Sequence, residues 1–353
     1  MRIAQVPPLY EAVPPRLYGG TERVVAHLTD ALVELGHDVT LFASAEARTT
    51  AKLVVVRDQA IRLDPAPLKS DLAAHLAMLL DVRDRAEEFD VIHFHTDMLQ
   101  FGLFASMAGK TLTTLHGRLD LKDLANLYRH FPEYGLVSIS DSQRAPLPDA
   151  NWVGTVLHGL HSDIDTYRAK SDGYLAFLGR ISPEKGPERA IAIAKRVGRK
   201  LKIAAKIDQA DIGYFHQVVE PLLADPLVEF VGEIGDQEKG RFLGGADALL
   251  FPIDWPEPFG LVMIEAMAAG APVIAYDRGS VREVIEEGLT GFIVNNEAEA
   301  VAAVHRLHQL SRRAIRDRFD LRFSATAMGR RYETLYEQMI EAGDVDLNLA
   351  QSA

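Results

Sequence analysis

The feature that most constrains this chain is an alternation that runs through it twice. Short apolar runs recur, each followed by a longer stretch with helical spacing. In the first half the strand candidates are Ile3–Pro7, Val39–Ala43, Val91–His95, Thr111–His116, Leu136–Ser140 and Val153–Leu157. The pattern restarts with Tyr174–Gly179, Leu201–Lys206, Val228–Val231, Ala248–Pro252, Pro272–Tyr276 and Phe292–Val294. Alternating strands and helices imply parallel sheets covered on both faces. Two such series predict an α/β chain of two doubly wound, Rossmann-like domains. A length of 353 residues agrees, being more than one core usually supports. The boundary is expected in the polar stretch from His158–Asp165 to Ser171–Gly173. This gives a first domain over residues 1–160 and a second over 173–322.

Composition removes several function classes. A net charge of −12 disfavours a broad nucleic-acid surface. The absence of cysteine excludes disulfides and thiolate metal sites. The start, MRIAQVPPLY, does not read as a signal peptide, and no uninterrupted apolar run is long enough to span a membrane. A cytoplasmic enzyme is the expectation.

In open α/β sheets ligands collect at the carboxyl ends of the strands. The first strand leads to Gly19-Gly20-Thr21-Glu22-Arg23 at a helix start. Paired glycines there let a ligand approach the backbone, and the first helical N–H groups can bind an anion. An ordinary loop capped by Thr21 would look the same. Val91-Ile-His-Phe-His95 places His93 and His95 on one face of a strand, a spacing also used by metal-dependent hydrolases. No carboxylate completes that set, so no metal is expected. His116 and Gly117 end a further strand, where the imidazole either faces a cleft or packs.

The second half is more specific. Arg180 ends a strand, and Lys185 follows in Ile181-Ser-Pro-Glu-Lys-Gly186 before a helix. Two cations on one strand-to-helix loop suit a diphosphate that gains charge during reaction. Further on, Glu257-Pro-Phe-Gly-Leu-Val-Met-Ile-Glu265 brackets a turn and a helix start between two carboxylates. Glu257 lies in the loop and Glu265 inside the helix, so the two can meet distant parts of one elongated ligand. A nucleoside diphosphate sugar has the required shape: hydroxyls at both ends and negative charge between them.

With GGTER, TLHG, FLGRISPEKG and EPFGLVMIEAMAAGAPVIA in that order, the chain resembles glycosyltransferase family 4, the retaining enzymes of GT-B fold. The resemblance implies two Rossmann-like domains facing a cleft, with a final helix, residues 323–341, crossing back to the first domain. It implies that Glu257 contacts donor-sugar hydroxyls and Glu265 the ribose hydroxyls. Arg180 and Lys185 would stabilise the departing diphosphate. The backbone N–H groups of Phe259, Gly260, Leu261 and Val262 would lie beside the donor's sugar and phosphates. His116 would flank the sugar, Gly19 and Gly20 would approach the phosphates, and Val231 to Ile234 would meet the base. One departure is Ala204-Ala-Lys-Ile-Asp-Gln209, where many relatives carry a glycine-rich turn; Lys206 would add a cation there.

The expected activity is transfer of a sugar from a nucleotide sugar, UDP-linked and of the UDP-glucose type, to an acceptor that nothing in the sequence specifies. No metal or other cofactor is called for. The bacterial relatives implied by the resemblance act on surface polysaccharides or small molecules. The alternatives are a sugar-nucleotide epimerase or hydrolase on the same fold, a metal-dependent hydrolase built on His93 and His95, and a non-catalytic sugar-nucleotide sensor. The arginine-rich segment 305–331 is expected to pack across the domains, with some arginines meeting carboxylates of the first, and not to bind membrane strongly.

Overall fold

The computed structural model describes residues 1–16, 19–161 and 167–351, the side chains of 343–351 excepted. The chain divides into two compact units, Met1–His161 with Ala325–Ala353, and Ser162–Ser324. Part of the expected boundary, residues 162–166, lies outside the described residues.

The first unit is built on seven strands: β1 Arg2–Val6, β2 Asp38–Ser44, β3 Lys52–Arg57, β4 Val91–Phe94, β5 Thr111–Thr114, β6 Gly135–Ser138 and β7 Trp152–Thr155. All pair in parallel, in the order β3-β2-β1-β4-β5-β6-β7. β3 is an addition to the expected set. It lies on the sheet edge with its valines half-buried or exposed, although its apolar run, Leu53-Val-Val-Val56, is as continuous as that of the buried strands.

The second unit carries β8 Tyr174–Arg180, β9 Lys200–Lys206, β10 Val228–Gly232, β11 Ala246–Phe251, β12 Val273–Tyr276 and β13 Gly291–Val294. These too are all parallel, ordered β10-β9-β8-β11-β12-β13. Gly291 is required here, because a Cβ at that position would lie 2.0 Å from the Val273 carbonyl oxygen across the ladder.

Both sheets reverse their winding beside the first strand of each unit, between β1 and β4 and between β8 and β11. Such switch points leave a crevice at the carboxyl ends of the strands. Gln5 on β1 is in register with His93 on β4 at the first. Arg180 ends β8 at the second, in register with Lys206 on β9.

Helix Ala325–Gln351 belongs to the first unit and packs on helix Gly20–Glu34. Met328, Tyr332 and Tyr336 form its buried face. Gly329 lets the helices approach: a Cβ there would stand 3.1 Å from Leu35 and 3.4 Å from Ala31. The helix starts two residues later than the expected 323, and Phe323 packs in the second unit, its ring 6.3 Å from that of Phe259.

Much of the arginine-rich segment is held within the second unit. Ser311 caps helix Arg312–Arg322, which packs against helix Leu261–Ala268 of its own unit. Arg312 donates to the carbonyls of Arg168, Gly244 and Ala246 at 2.7, 2.7 and 2.8 Å. Arg316 reaches the carbonyl of Ala268, and Arg318 and Arg322 converge on Glu286. Arg313 pairs with Asp317 along the helix. These arginines answer carbonyls and carboxylates of the second unit, where their helix packs. Carbonyls at a helix end are unsatisfied by the helix itself, which makes them natural partners for cations.

Among the described residues, no helix is long and apolar enough to cross a membrane.

Candidate active site

In the second unit, two loops hold the expected charges. β8 delivers Arg180, and the turn to helix Pro187–Val197 carries Lys185. Gly186 closes that turn in the left-handed region at φ +67°, and a Cβ on it would lie 2.6 Å from the Pro252 carbonyl oxygen. The adjacent loop after β11 brings Trp255 and Glu257. It is fastened by Asp254 N–H to the Glu184 carbonyl at 2.8 Å and by Ser280 N–H to the Glu257 carbonyl at 3.0 Å. Gly279 packs directly on the Glu257 backbone, 2.3 Å from its carbonyl oxygen if a Cβ is added.

This geometry joins Lys185 to Glu257. The ammonium donates to Glu257 Oε2, and the indole Nε1 of Trp255 donates to the same oxygen at 3.1 Å. Lys185 Nζ also lies 4.9 Å from the Trp255 ring centroid, within cation–π range. Glu257 and Glu265 are 8% and 9% exposed, so both are buried carboxylates that need partners. Glu265 finds Lys239 Nζ at 3.2 Å, and Lys239 also pairs with Asp236 at the same distance.

Asp208 collects the other cations. Lys206 Nζ is 2.9 Å and Arg180 Nη1 3.6 Å from its carboxylate. Arg180 also stands 4.0 Å from Glu184. Burial pushes the Asp208 carboxyl up, but the hydrogen bond and charge of Lys206, with Arg180, hold it below the ordinary range.

Gly260 caps helix Leu261–Ala268 in the left-handed conformation, φ +80°. The first N–H groups of a helix have no partner within it, so those following Gly260 through Leu261 and Val262 can meet an anion or hydroxyl. Phe259 faces inward, and its carbonyl accepts the Ser280 hydroxyl at 2.8 Å. Of the pair expected near a base, Val231 is 42% exposed and Ile234 is buried, so only Val231 offers a side chain to solvent.

In the first unit the histidines form one buried polar network. His116 Nε2 is 2.8 Å from His95 Nδ1, and His95 Nε2 is 2.9 Å from Gln5 Oε1. His93 Nδ1 meets the Tyr336 hydroxyl at 2.8 Å, and His93 Nε2 meets Thr114 Oγ1 at 2.7 Å. Tyr332 completes it with Thr114 at 2.9 Å. His158 stacks on His116 with ring centroids 5.1 Å apart. Burial pushes all four histidines far down, His116 to about 3, so the network is neutral. His93 and His95 thus spend both ring nitrogens on protein partners. Among the described residues no group of three or more His, Asp or Glu is placed to hold a metal.

Gly19 and Gly20 stand at the start of helix Gly20–Glu34, Gly19 as the residue preceding it. Gly19 has no room for a side chain, since a Cβ would fall 2.8 Å from Pro15 Cβ.

Four contributors were not anticipated. Trp255 is two residues from Glu257 and was open to notice. Asp208 follows Lys206 by two. Lys239 comes from another helix, and Gln5 is an amide inside an apolar strand; no spacing marks either.

Two parallel sheets of this order, with a carboxylate-and-cation site at the second switch point, define the GT-B class of glycosyltransferases. The chain belongs to glycosyltransferase family 4: the model for Glycosyltransferase Family 4 matches residues 18–146 and that for Glycosyl transferases group 1 matches residues 164–320. A phosphatidyl-myo-inositol mannosyltransferase of Mycolicibacterium smegmatis is 26% identical over 333 residues, covering 86% of this chain and 83% of the relative. Among solved structures, AviGT4, a glycosyltransferase involved in avilamycin A biosynthesis, superposes with a TM-score of 0.74 at 22% identity, covering 96% of this chain and 98% of the other. Anabaena HepE in complex with UDP-glucose gives 0.71 at 17% identity, over 96% and 100% of the two chains.

Proposed function

We propose that this glycosyltransferase moves glucose from UDP-glucose to a hydroxyl acceptor with retention at the anomeric carbon and without a metal. The observation that carries the reading is the Lys185–Glu257 pair beside the Gly260 helix start. It puts a cation, a sugar-binding carboxylate and helical N–H donors in one place. HepE, whose structure was determined with UDP-glucose, supports the choice of donor.

In this reading Glu257 accepts hydroxyls of the donor sugar. Lys185 and Arg180 turn from their carboxylate partners to the diphosphate, and Lys206 adds to the same field. Glu265 accepts the ribose hydroxyls, and Val231 and Ile234 border the base. The backbone from Phe259 to Val262 lies beside the phosphates, and Gly19 and Gly20 are assigned to the same phosphates. The sugar–phosphate bond breaks as charge grows on the diphosphate, where fixed cations are worth most. The acceptor oxygen then forms its bond on the face the diphosphate leaves. Its proton passes to a phosphate oxygen, so no carboxylate nucleophile is required. His116 flanks the sugar.

The test is a donor screen by release of nucleoside diphosphate, run with and without hydroxyl acceptors and in excess chelator. Acceptor-dependent UDP release from UDP-glucose in chelator, with an α-linked product, is expected. Release independent of any acceptor would assign a hydrolase instead. Activity lost in chelator and restored by one metal would overturn the metal-free reading.

A further inference from the structure

The polar network of the first unit has a direction, and one amide sets it. Gln5 Oε1 can only accept, so the 2.9 Å contact with His95 Nε2 requires a proton on that nitrogen. A neutral imidazole carries a single ring proton, so His95 Nδ1 is an acceptor. His116 Nε2, 2.8 Å away, must then be the donor. The remaining nitrogen of His116, Nδ1, is left without a proton. It is buried and has no hydrogen-bond partner among the described residues.

The other end of the amide is held as well. Gln5 Nε2 donates to the Tyr336 hydroxyl at 3.2 Å. That hydroxyl in turn lies 2.8 Å from His93 Nδ1, and His93 Nε2 lies 2.7 Å from Thr114 Oγ1. Tyr336 comes from the C-terminal helix and Gln5 from β1, so the amide is gripped between two elements of the first unit.

We infer that Gln5 is a positioning residue that acts through His95 to hold His116 as the Nε2–H tautomer, with Nδ1 presented as an acceptor for a ligand hydroxyl. The inference rests on the reading of His116 as a group that flanks the donor sugar. It adds a selectivity: His116 takes an O–H or N–H donor and offers nothing to an anionic phosphate oxygen. Charge stabilisation is thereby left to Lys185 and Arg180, while His116 reads a sugar hydroxyl. Turning the Gln5 amide round would reverse the relay and make His116 Nδ1 a donor, with the opposite preference.

The whole chain labelled with 15N-histidine and observed by long-range 1H–15N correlation distinguishes the two. Loss of signals in His116→Gln assigns the resonances. The expected wild-type result is a neutral His116 protonated at Nε2. A His116 protonated at Nδ1 would overturn the proposal without any variant. In Gln5→Met, with far-UV circular dichroism as a fold control, the two His116 tautomers should interconvert with comparable populations, and UDP-glucose binding by calorimetry should weaken by about 2-fold, the fraction of the competent tautomer lost. An unchanged His116 tautomer in folded Gln5→Met would also overturn it. A correct tautomer in a protein that releases no UDP would leave this inference standing and remove the proposed activity alone.

Discussion

Lys185 and Glu257 are 72 residues apart in the chain and share an ion pair in which the Trp255 indole also takes part. Their side chains are only 16% and 11% exposed, so neither is free to relax into solvent. Each therefore holds the other where a ligand would need them.

Removing one partner leaves the other buried without a counter-charge. Lys185→Met and Glu257→Gln should each lower stability by about 2 kcal/mol or more, and the double variant should recover most of that loss. Activity should stay low in all three. Chemical denaturation of the four proteins measures this cycle; additive losses would show that the pair is not coupled.

Arg180 and Glu265 should separate rate from affinity. Arg180→Ala is expected to lower kcat by on the order of 10²-fold with a small change in donor KM, because leaving-group charge appears mainly in the transition state. Glu265→Ala should raise donor KM and leave kcat nearly unchanged, since ribose contacts persist throughout. Lys239, whose ammonium lies 3.2 Å from Glu265, is expected to shift KM in the same way when changed to Met. Steady-state kinetics with UDP-glucose checks this, and a rise in KM alone for Arg180→Ala, equal to that for the other two, would show that Arg180 only binds the donor and does not stabilise the leaving group.

The buried histidines predict a loss of stability in mild acid. His75, His93, His95, His116 and His158 are all held below the ordinary histidine value by burial. The unfolded chain takes up protons as pH falls through about 6.5 and the native chain does not, so stability present above that value is lost below it. For His116 the loss continues toward about 3. Burial also raises the Glu22 carboxyl, which acts in the opposite sense. Five groups against one leave a net decline on the order of a few kcal/mol per pH unit below neutrality. Denaturation midpoints between pH 7.5 and 5 provide the measurement; a flat profile would contradict it.

The arginines of helix Arg312–Arg322 are expected to stay away from membranes. Arg312, Arg316, Arg318 and Arg322 are already engaged by carbonyls and carboxylates of their own unit. Sedimentation with anionic vesicles at moderate salt should show no salt-sensitive binding. Tight binding that vanishes when Arg313 and Arg318 are neutralised, with the fold intact, would make this helix a docking surface and the acceptor a lipid.

Much of this architecture is legible in the order of residues, because its causes are local. Buried parallel strands favour short apolar runs, and the alternation of such runs with helical spacing marks twelve of the strands. β3 carries one as well, Leu53-Val-Val-Val56, and only its edge position, with the valines half-exposed or exposed, sets it apart from the rest. Arg180, Lys185, Glu257 and Gly260 could be singled out because each sits at a strand end or helix start, and those places are set by neighbours in the chain. Their partners are a different matter. That Lys185 would meet Glu257, Lys206 and Arg180 would gather on Asp208, and Lys239 would answer Glu265 depends on how parallel strands are ordered in the sheet, which no local spacing encodes. The same holds for Gln5, an amide in an apolar strand until folding sets β4 and the C-terminal helix beside it. Only then does it acquire His95 on one side and Tyr336 on the other. Sequence alone determined which groups stand at the ligand-binding edges; the tertiary structure decided which of them touch, because ion pairs and hydrogen bonds act over a few ångströms between segments that the chain itself keeps far apart.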